Sequence, residues 1–266
     1  VILWSNLEYV TLRLVRRFVF SGAVLDRMGA FIPYWRVNQG LLDPEPIVTA
    51  YEGLARLCGV VLQGARVVEL GCGATNGTGH EWIARFGGSW TGVEPFAPFD
   101  ADLDAQIARN VSQRHPGANA GRVDRVRHLD ALETAGADLI VSNSVLEHVA
   151  DPADCFRQCY RVLAPGGIML HRVDYRDHFF KYPFHFLTFS QAVWDNFLNP
   201  GDLPRHRLDD HLAALSRAGF TAEVLEREAD PQGLAAVAPF LAPEFASRDP
   251  GVMAVTTASM VCRKPA

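Results

Sequence analysis

Residues 67–79 read VVELGCGATNGTG, and this stretch decides the fold class. A short apolar run through Val67, Val68 and Leu70 has the length and bulk of a buried strand. Gly71, Gly73, Gly77 and Gly79 then make a turn whose backbone can approach a ligand closely. A strand running into such a turn places that ligand at the carboxyl edge of a parallel sheet. A dinucleotide turn of the GxGxxG type would need glycine where this chain has Asn76. A phosphate loop fails as well, because Gly77-Thr78 is not followed by lysine at the required point. The spacing speaks for an adenosine-containing cofactor more strongly than for any particular one.

Outward from this turn, strands and helices alternate. IVTAYEGLARLCGVVL, from Ile47, predicts a helix ahead of the strand that starts near Arg66. A helix is expected through 81–86, then a strand ending in WTGVE at Glu94, then a helix over 102–113. RVDRVRHLD leads to ADLIVSN, the next strong strand. In DPADCFRQCYRVL, Asp151 is a cap and Pro152 sits in the first helical turn. APGG is expected to stop that helix before IMLHRV resumes the strand pattern. A helix over 209–218 and strands in FTAEVLE and GVMAVTTASMVC close the chain. The alternation from about residue 47 through IMLHRV predicts a parallel α/β sheet covered on both faces by helices. The domain reading is a helical extension over 1–46 and one α/β domain over 47–266, with 174–207 as an aromatic-rich insertion.

Composition sets the outer limits. The chain has 266 residues, 48% of them apolar, and 25 basic against 30 acidic side chains leave a net charge of −5. A chain of this mass can bury roughly 73% of its extended surface, so it needs no disulfide scaffold. Disorder, a collagen repeat and a strongly basic nucleic-acid binder are poor fits. The five cysteines Cys58, Cys72, Cys155, Cys159 and Cys262 contain no CxxC pair, which favours a reducing cytoplasm. Glu8, Arg13, Arg16 and Arg17 interrupt the apolar opening, too often for a membrane span. Trp4, Leu7, Val10, Leu14 and Phe18 recur at helical spacing. They predict an amphipathic helix that packs on the core, makes a homodimer contact, covers an opening or lies on a membrane surface.

VVELGCG, Glu94 in GVEP, DLIVSNSVLEHV and RVLAPGGIMLHRV occur together and in order over residues 67–173. In that set the chain resembles the class I S-adenosylmethionine-dependent methyltransferases, and more narrowly bacterial small-molecule or glycan methyltransferases. The resemblance implies a Rossmann-like sheet with S-adenosyl-L-methionine as cofactor. Glu69, Gly71, Cys72 and Gly73 would line its methionine side, and Glu94 would grip the ribose hydroxyls. Leu129, Asp130 and Ala131 would sit at the adenine, where Asp130 either accepts from the adenine amino group or caps a local helix. Asn143 and Ser144 would border the cofactor after the fourth strand. The chain departs from a compact ExGxGxG signature at Thr75, which leaves the contacts of 75–77 open.

On the acceptor side the resemblance implies that His148, in SVLEHV, faces the methyl acceptor. An imidazole is available as a base near neutral pH, although His148 can equally pack or join Glu147 in a surface network. Asp174 either positions the acceptor, orients His148 or caps a helix. Asp174, Asp177 and His178 invite comparison with metal-using sugar methyltransferases, but their spacing is not diagnostic, and no metal site is assigned. Phe179, Phe180, Tyr182, Phe184, His185, Phe186, Phe189 and Trp194 form either an acceptor-side lid or a small auxiliary core. The expected reaction is methyl transfer to a hydroxyl of a small natural product or sugar, with no nucleic-acid partner. N- or C-methylation, an NAD-dependent oxidoreductase and a noncatalytic methyltransferase-like subunit are the alternatives.

Overall fold

The computed structural model describes residues 2–19, 43–177, 181–199 and 203–266. His178, Phe179 and Phe180 of the aromatic segment lie outside them. Seven strands form one sheet in the order β3-β2-β1-β4-β5-β7-β6. These are β1 (Arg66–Leu70), β2 (Gly88–Val93), β3 (Gly121–Val126), β4 (Ala137–Asn143), β5 (Leu163–Asp174), β6 (Thr221–Ala229) and β7 (Val255–Arg263). The first five pair in parallel, whereas β7 is antiparallel to both β5 and β6. The parallel pairing expected over the alternating span is present in β1 to β5, and the two antiparallel pairings belong to the strands that follow it. Chain order switches at β1, where β2 leaves one side and β4 takes the other, and such a switch opens a crevice at the carboxyl edge.

Seven helices matter for the site: α1 (Ile2–Leu14), α2 (Glu45–Leu57), α3 (Gly77–Phe86), α4 (Ala101–Arg114), α5 (Pro152–Val162), α6 (Leu208–Arg217) and α7 (Pro231–Val237). Strand alternation sends Val67, Leu139, Val141 and Leu170 to one face, against Tyr51 and Leu54 of α2 and Trp82 of α3. Val68, Ile140, Met169 and Val173 go to the other, against Phe156 of α5 and Leu215 of α6. Asp151 does cap α5, accepting from the Asp154 amide at 3.0 Å.

Three local expectations change. Helix α3 begins at Gly77, four residues before Glu81. Its poor helix formers are kept by packing: a Cβ on Gly79 would stand 2.5 Å from Trp90 Cδ1. The extended run of β5 begins at Leu163 and passes through APGG, with Gly166 at φ +73° and a register shift against β4. Residues 251–253 of the expected last strand belong instead to a helical turn over Pro250–Met253.

The amino-terminal helix exists and packs Val10 and Leu14 of the expected face against the core, but its fully buried positions lie beside that face. Tyr9 and Arg13 are buried, while Trp4, Leu7 and Phe18 are exposed. The reason is an ion pair that periodicity does not report. Asp177, fully buried, accepts from the Tyr9 hydroxyl and the Arg13 guanidinium. Tyr9 also stacks on Phe189 at 5.7 Å, and Arg13 lies 5.4 Å over Trp194. Phe184, Phe186, Leu187, Trp194 and Leu198 are buried with Leu234 and Val237 of α7 and with Phe245. The described part of the aromatic segment is thus an auxiliary core.

Candidate functional site at the carboxyl edge of the sheet

The residues assigned to the cofactor, together with His148 and Asp174, lie at or just past the carboxyl ends of β1 to β5. At the turn after β1, Gly71 and Gly73 both take φ +68°, a conformation that disfavours a side chain. The Gly71 amide donates to the Val93 carbonyl at 2.8 Å, which ties the turn to β2. Glu94 completes the tie. Its Oε2 accepts from the Gly73 amide at 3.0 Å, and its Oε1 accepts from the Phe96 and Ala97 amides at 2.9 and 3.0 Å. The carboxylate thereby fixes the distance between the two loops that flank the crevice. Past Thr75, the Asn76 amide donates to Asp104 Oδ1 at 2.6 Å, so α4 braces the start of α3.

Cys72 points away from chemistry. Its Sγ accepts from Arg125 at 3.0 Å, and burial pushes its thiol up to about 12. Arg125 also donates to the Gly73 carbonyl at 2.5 Å and lies 5.4 Å from the Phe99 ring centroid. Arg125, which the sequence reading passed over, is therefore the brace beneath the glycine turn. Leu129–Ala131 form one 3-10 turn. Leu129 is buried and its carbonyl accepts from Arg161 at 2.7 Å, whereas Asp130 and Ala131 are exposed at the rim. Asn143 is half-buried, and Ser144 is exposed with φ +54°.

Two buried carboxyls stand out. Glu69 Oε2 has no hydrogen-bond partner, and burial pushes the group up to about 8, against the opposing pull of Thr78, Trp90 and Arg125. Glu147, in the turn after β4, is 3% exposed with neither oxygen partnered. Burial raises it to about 8 as well, with the Asp174 charge adding to the effect. Read from the sequence, Glu147 has no role beyond a surface network with His148. Asp174, in turn, is held by Arg176 on both oxygens, at 2.9 and 2.7 Å. Asp177 is committed to α1, which separates it from the metal comparison drawn on spacing. His148 is half-buried and lines a cavity of about 500 Å³ shared with Gln191, Asp195, Asn199 and residues 203–206.

Behind the site, His171 Nδ1 lies 2.8 Å from Ser142 Oγ, and His211 Nδ1 lies 2.9 Å from the Tyr175 hydroxyl. Burial holds both imidazoles down at about 3, with neighbouring histidines adding to the effect. These four groups set a pH profile. Between about 3 and 4.5 the unfolded chain binds two histidine protons that the fold refuses, so stability rises with pH. From about 6.5 to 8 the fold keeps two carboxyl protons that the unfolded chain has lost, so stability falls. Between 4.5 and 6.5 the two effects oppose each other and nearly cancel. Urea midpoints should therefore form a plateau on the acid side of neutral. A maximum at pH 8 would contradict these burial assignments.

The pattern of a methyltransferase domain matches residues 68–171. Residues 68–171 are a class I S-adenosylmethionine-dependent methyltransferase domain. The chain is 30% identical over 176 residues to a ubiquinone biosynthesis O-methyltransferase of Methylocella silvestris, covering 62% of this chain and 64% of that one. It is 31% identical over 177 residues to a probable S-adenosylmethionine-dependent methyltransferase of Mycolicibacterium smegmatis, covering 65% and 57%. The chain thus spans less than two thirds of these curated relatives. Its fold is similar to that of a Haemonchus contortus phosphoethanolamine N-methyltransferase 2 in complex with S-adenosyl-L-methionine. The TM-score there is 0.53 at 15% identity, over 95% of this chain and 59% of the other.

S-Adenosylmethionine is the cofactor of this methyltransferase domain, and the residues present fit it. The unpartnered, buried Glu69 oxygen suits an ammonium group, and a Cβ on Gly73 would meet nothing within 4 Å, so the turn has an open side. Among the described residues no helix is long and apolar enough to cross a membrane.

Proposed function

We propose that this methyltransferase transfers a methyl group to a hydroxyl of a small molecule, a natural product or a sugar. The observation that carries the reading is the pair of buried carboxyls with unpartnered oxygens, Oε2 of Glu69 and both oxygens of Glu147, at or just past the ends of adjacent strands β1 and β4. A buried polar group without a partner is rare in a finished fold, and a bound ligand supplies what is missing. The O-methyltransferase name of the Methylocella silvestris relative supports a hydroxyl over an amine.

In this reading Glu69, Gly71, Cys72 and Gly73 form the methionine side of the site, with Cys72 acting through its Arg125 contact. Glu94 holds the ribose through the lone pairs that its backbone partners leave free. Leu129, Asp130 and Ala131 flank the adenine, and Asn143 and Ser144 border the reacting end. When bound, S-adenosylmethionine supplies an electrophilic methyl group on a good leaving group. The protein aligns the acceptor and excludes water. His148 receives the hydroxyl proton on its imidazole. Asp174, fixed by Arg176, positions Glu147, and the Glu147 carboxyl holds the acceptor oxygen from the buried side.

Glu94→Ala should weaken S-adenosylhomocysteine binding by about 10²-fold, since a charge-assisted contact and the loop tie are lost together. The maximal methyl-transfer rate at saturating cofactor should change much less. Unaltered affinity by titration calorimetry would remove Glu94 from the site. The reaction class is tested by incubating the chain with methyl-labelled S-adenosylmethionine and a mixed set of hydroxyl and amine acceptors. Labelled methyl ethers support the reading. Labelled amines alone would replace it, and no turnover despite cofactor binding would favour a noncatalytic subunit.

A further inference from the structure

We propose that the cavity of about 500 Å³ beside His148 is a binding site for a neutral polyhydroxylated ligand, with a glycosidic acceptor as its occupant. This deepens the hydroxyl reading above and rests on it. The volume is in the range of small-molecule sites.

The chemistry of the walls sets the ligand class. Arg205 donates to Gln191 Oε1 at 2.6 Å and to Glu244 Oε1 at 3.2 Å. Its own chain is nearly inaccessible, because its other nitrogen donates to the Phe186 and Phe189 carbonyls at 2.9 and 2.6 Å. Arg248 pairs with Asp209 and, at 2.9 Å, with Asp210. Asp195 takes the Gln191 amide on both oxygens, at 2.8 and 2.9 Å. Arg205, Glu244, Arg248 and Asp210 are thus paired with opposite charges, and both Asp195 oxygens are engaged by a neutral amide.

A phosphate or carboxylate ligand would need an uncommitted cation, and an amine would need an uncommitted carboxylate. Compensated pairs instead offer an acceptor and a donor side by side at fixed spacing. A hydroxyl group uses both at the more open Arg248 pair, donating to the Asp210 carboxylate and accepting from the guanidinium, and at Arg205 it reaches the Glu244 carboxylate alone. Asn199 and His206 extend the same alternation around the rim. An aromatic phenol would look for an apolar slot, but Phe245, the phenyl ring among the described wall residues, is 5% exposed and covered by Arg205 and Arg248 at 5.0 and 5.9 Å. The walls therefore favour a sugar over a flat ring.

The test is saturation-transfer NMR on the full chain with saturating S-adenosylhomocysteine, using methyl glucoside, methyl galactoside and methyl mannoside, and catechol as the phenolic comparison. At least one glycoside should receive saturation. Its affinity should fall at least tenfold in both Glu244→Gln and Arg248→Met, while titration calorimetry shows S-adenosylhomocysteine binding unchanged. No transfer to any glycoside with the cofactor product bound would overturn the inference. So would transfer that both variants leave intact, or transfer to catechol alone. Glycoside binding without S-adenosylhomocysteine binding would uphold the cavity and defeat the methyl-transfer reading instead.

Discussion

Methyl transfer by a His148→Ala variant is expected to be about 10²–10⁴-fold slower than wild type, with cofactor affinity nearly unchanged. The expectation comes from position. His148 stands three residues past Val145, which packs against Gly71 of the cofactor turn, and its ring lines the polar cavity on the other side. It is the described imidazole that links the two. The rate should be read in a pre-steady-state assay, so that product release does not mask the step. His148→Asn separates proton transfer from hydrogen-bond positioning. A His148→Ala rate equal to wild type across pH 6–9 would show the base assignment to be wrong. Glu147 then becomes the first alternative, since its buried carboxyl has no partner to give up.

The second large effect is expected at Gly71. A Cβ there would stand 2.5 Å from Val145 Cγ2, at a φ of +68°. Left-handed backbone costs an L-residue about 1–2 kcal/mol, and forcing the neighbour aside adds about 1–3 kcal/mol. Gly71→Ala should therefore lose roughly 2–5 kcal/mol from this turn and bind S-adenosylhomocysteine at least tenfold more weakly. Gly59→Ala is the control, because Gly59 has φ +67° but nothing within 4 Å of its added carbon. It should show the backbone cost alone, with cofactor affinity intact. Equal effects at the two positions in urea denaturation and in titration would contradict the packing argument.

The half of the site made by local sequence was legible. Gly71, Gly73 and Glu94 declare themselves because a strand, a left-handed turn and a strand-end carboxylate each leave a mark within a few residues. The half made by contacts across the chain was not. Glu147 reads as an ordinary surface glutamate until β5 brings Asp174 and Tyr175 against it. The face of α1 was misread in part for the same reason. Trp4, Leu7 and Phe18 have the right period, but Asp177, 164 residues beyond Arg13, selects the positions beside them. Gly77 and Gly79 hid the start of α3, because helix propensity reports nothing of Trp90 waiting across the strand. The antiparallel return of β7 was equally out of reach, since hydrophobic alternation carries no strand direction.

The central claim is that the crevice after β1 and β2 holds one S-adenosylmethionine. Titration calorimetry with S-adenosylhomocysteine tests it most directly, on the wild-type chain, with NADH as the competing ligand. Near one site per chain for S-adenosylhomocysteine, and no saturable heat from NADH, is the predicted result. Tight NADH binding with no S-adenosylhomocysteine binding would contradict it.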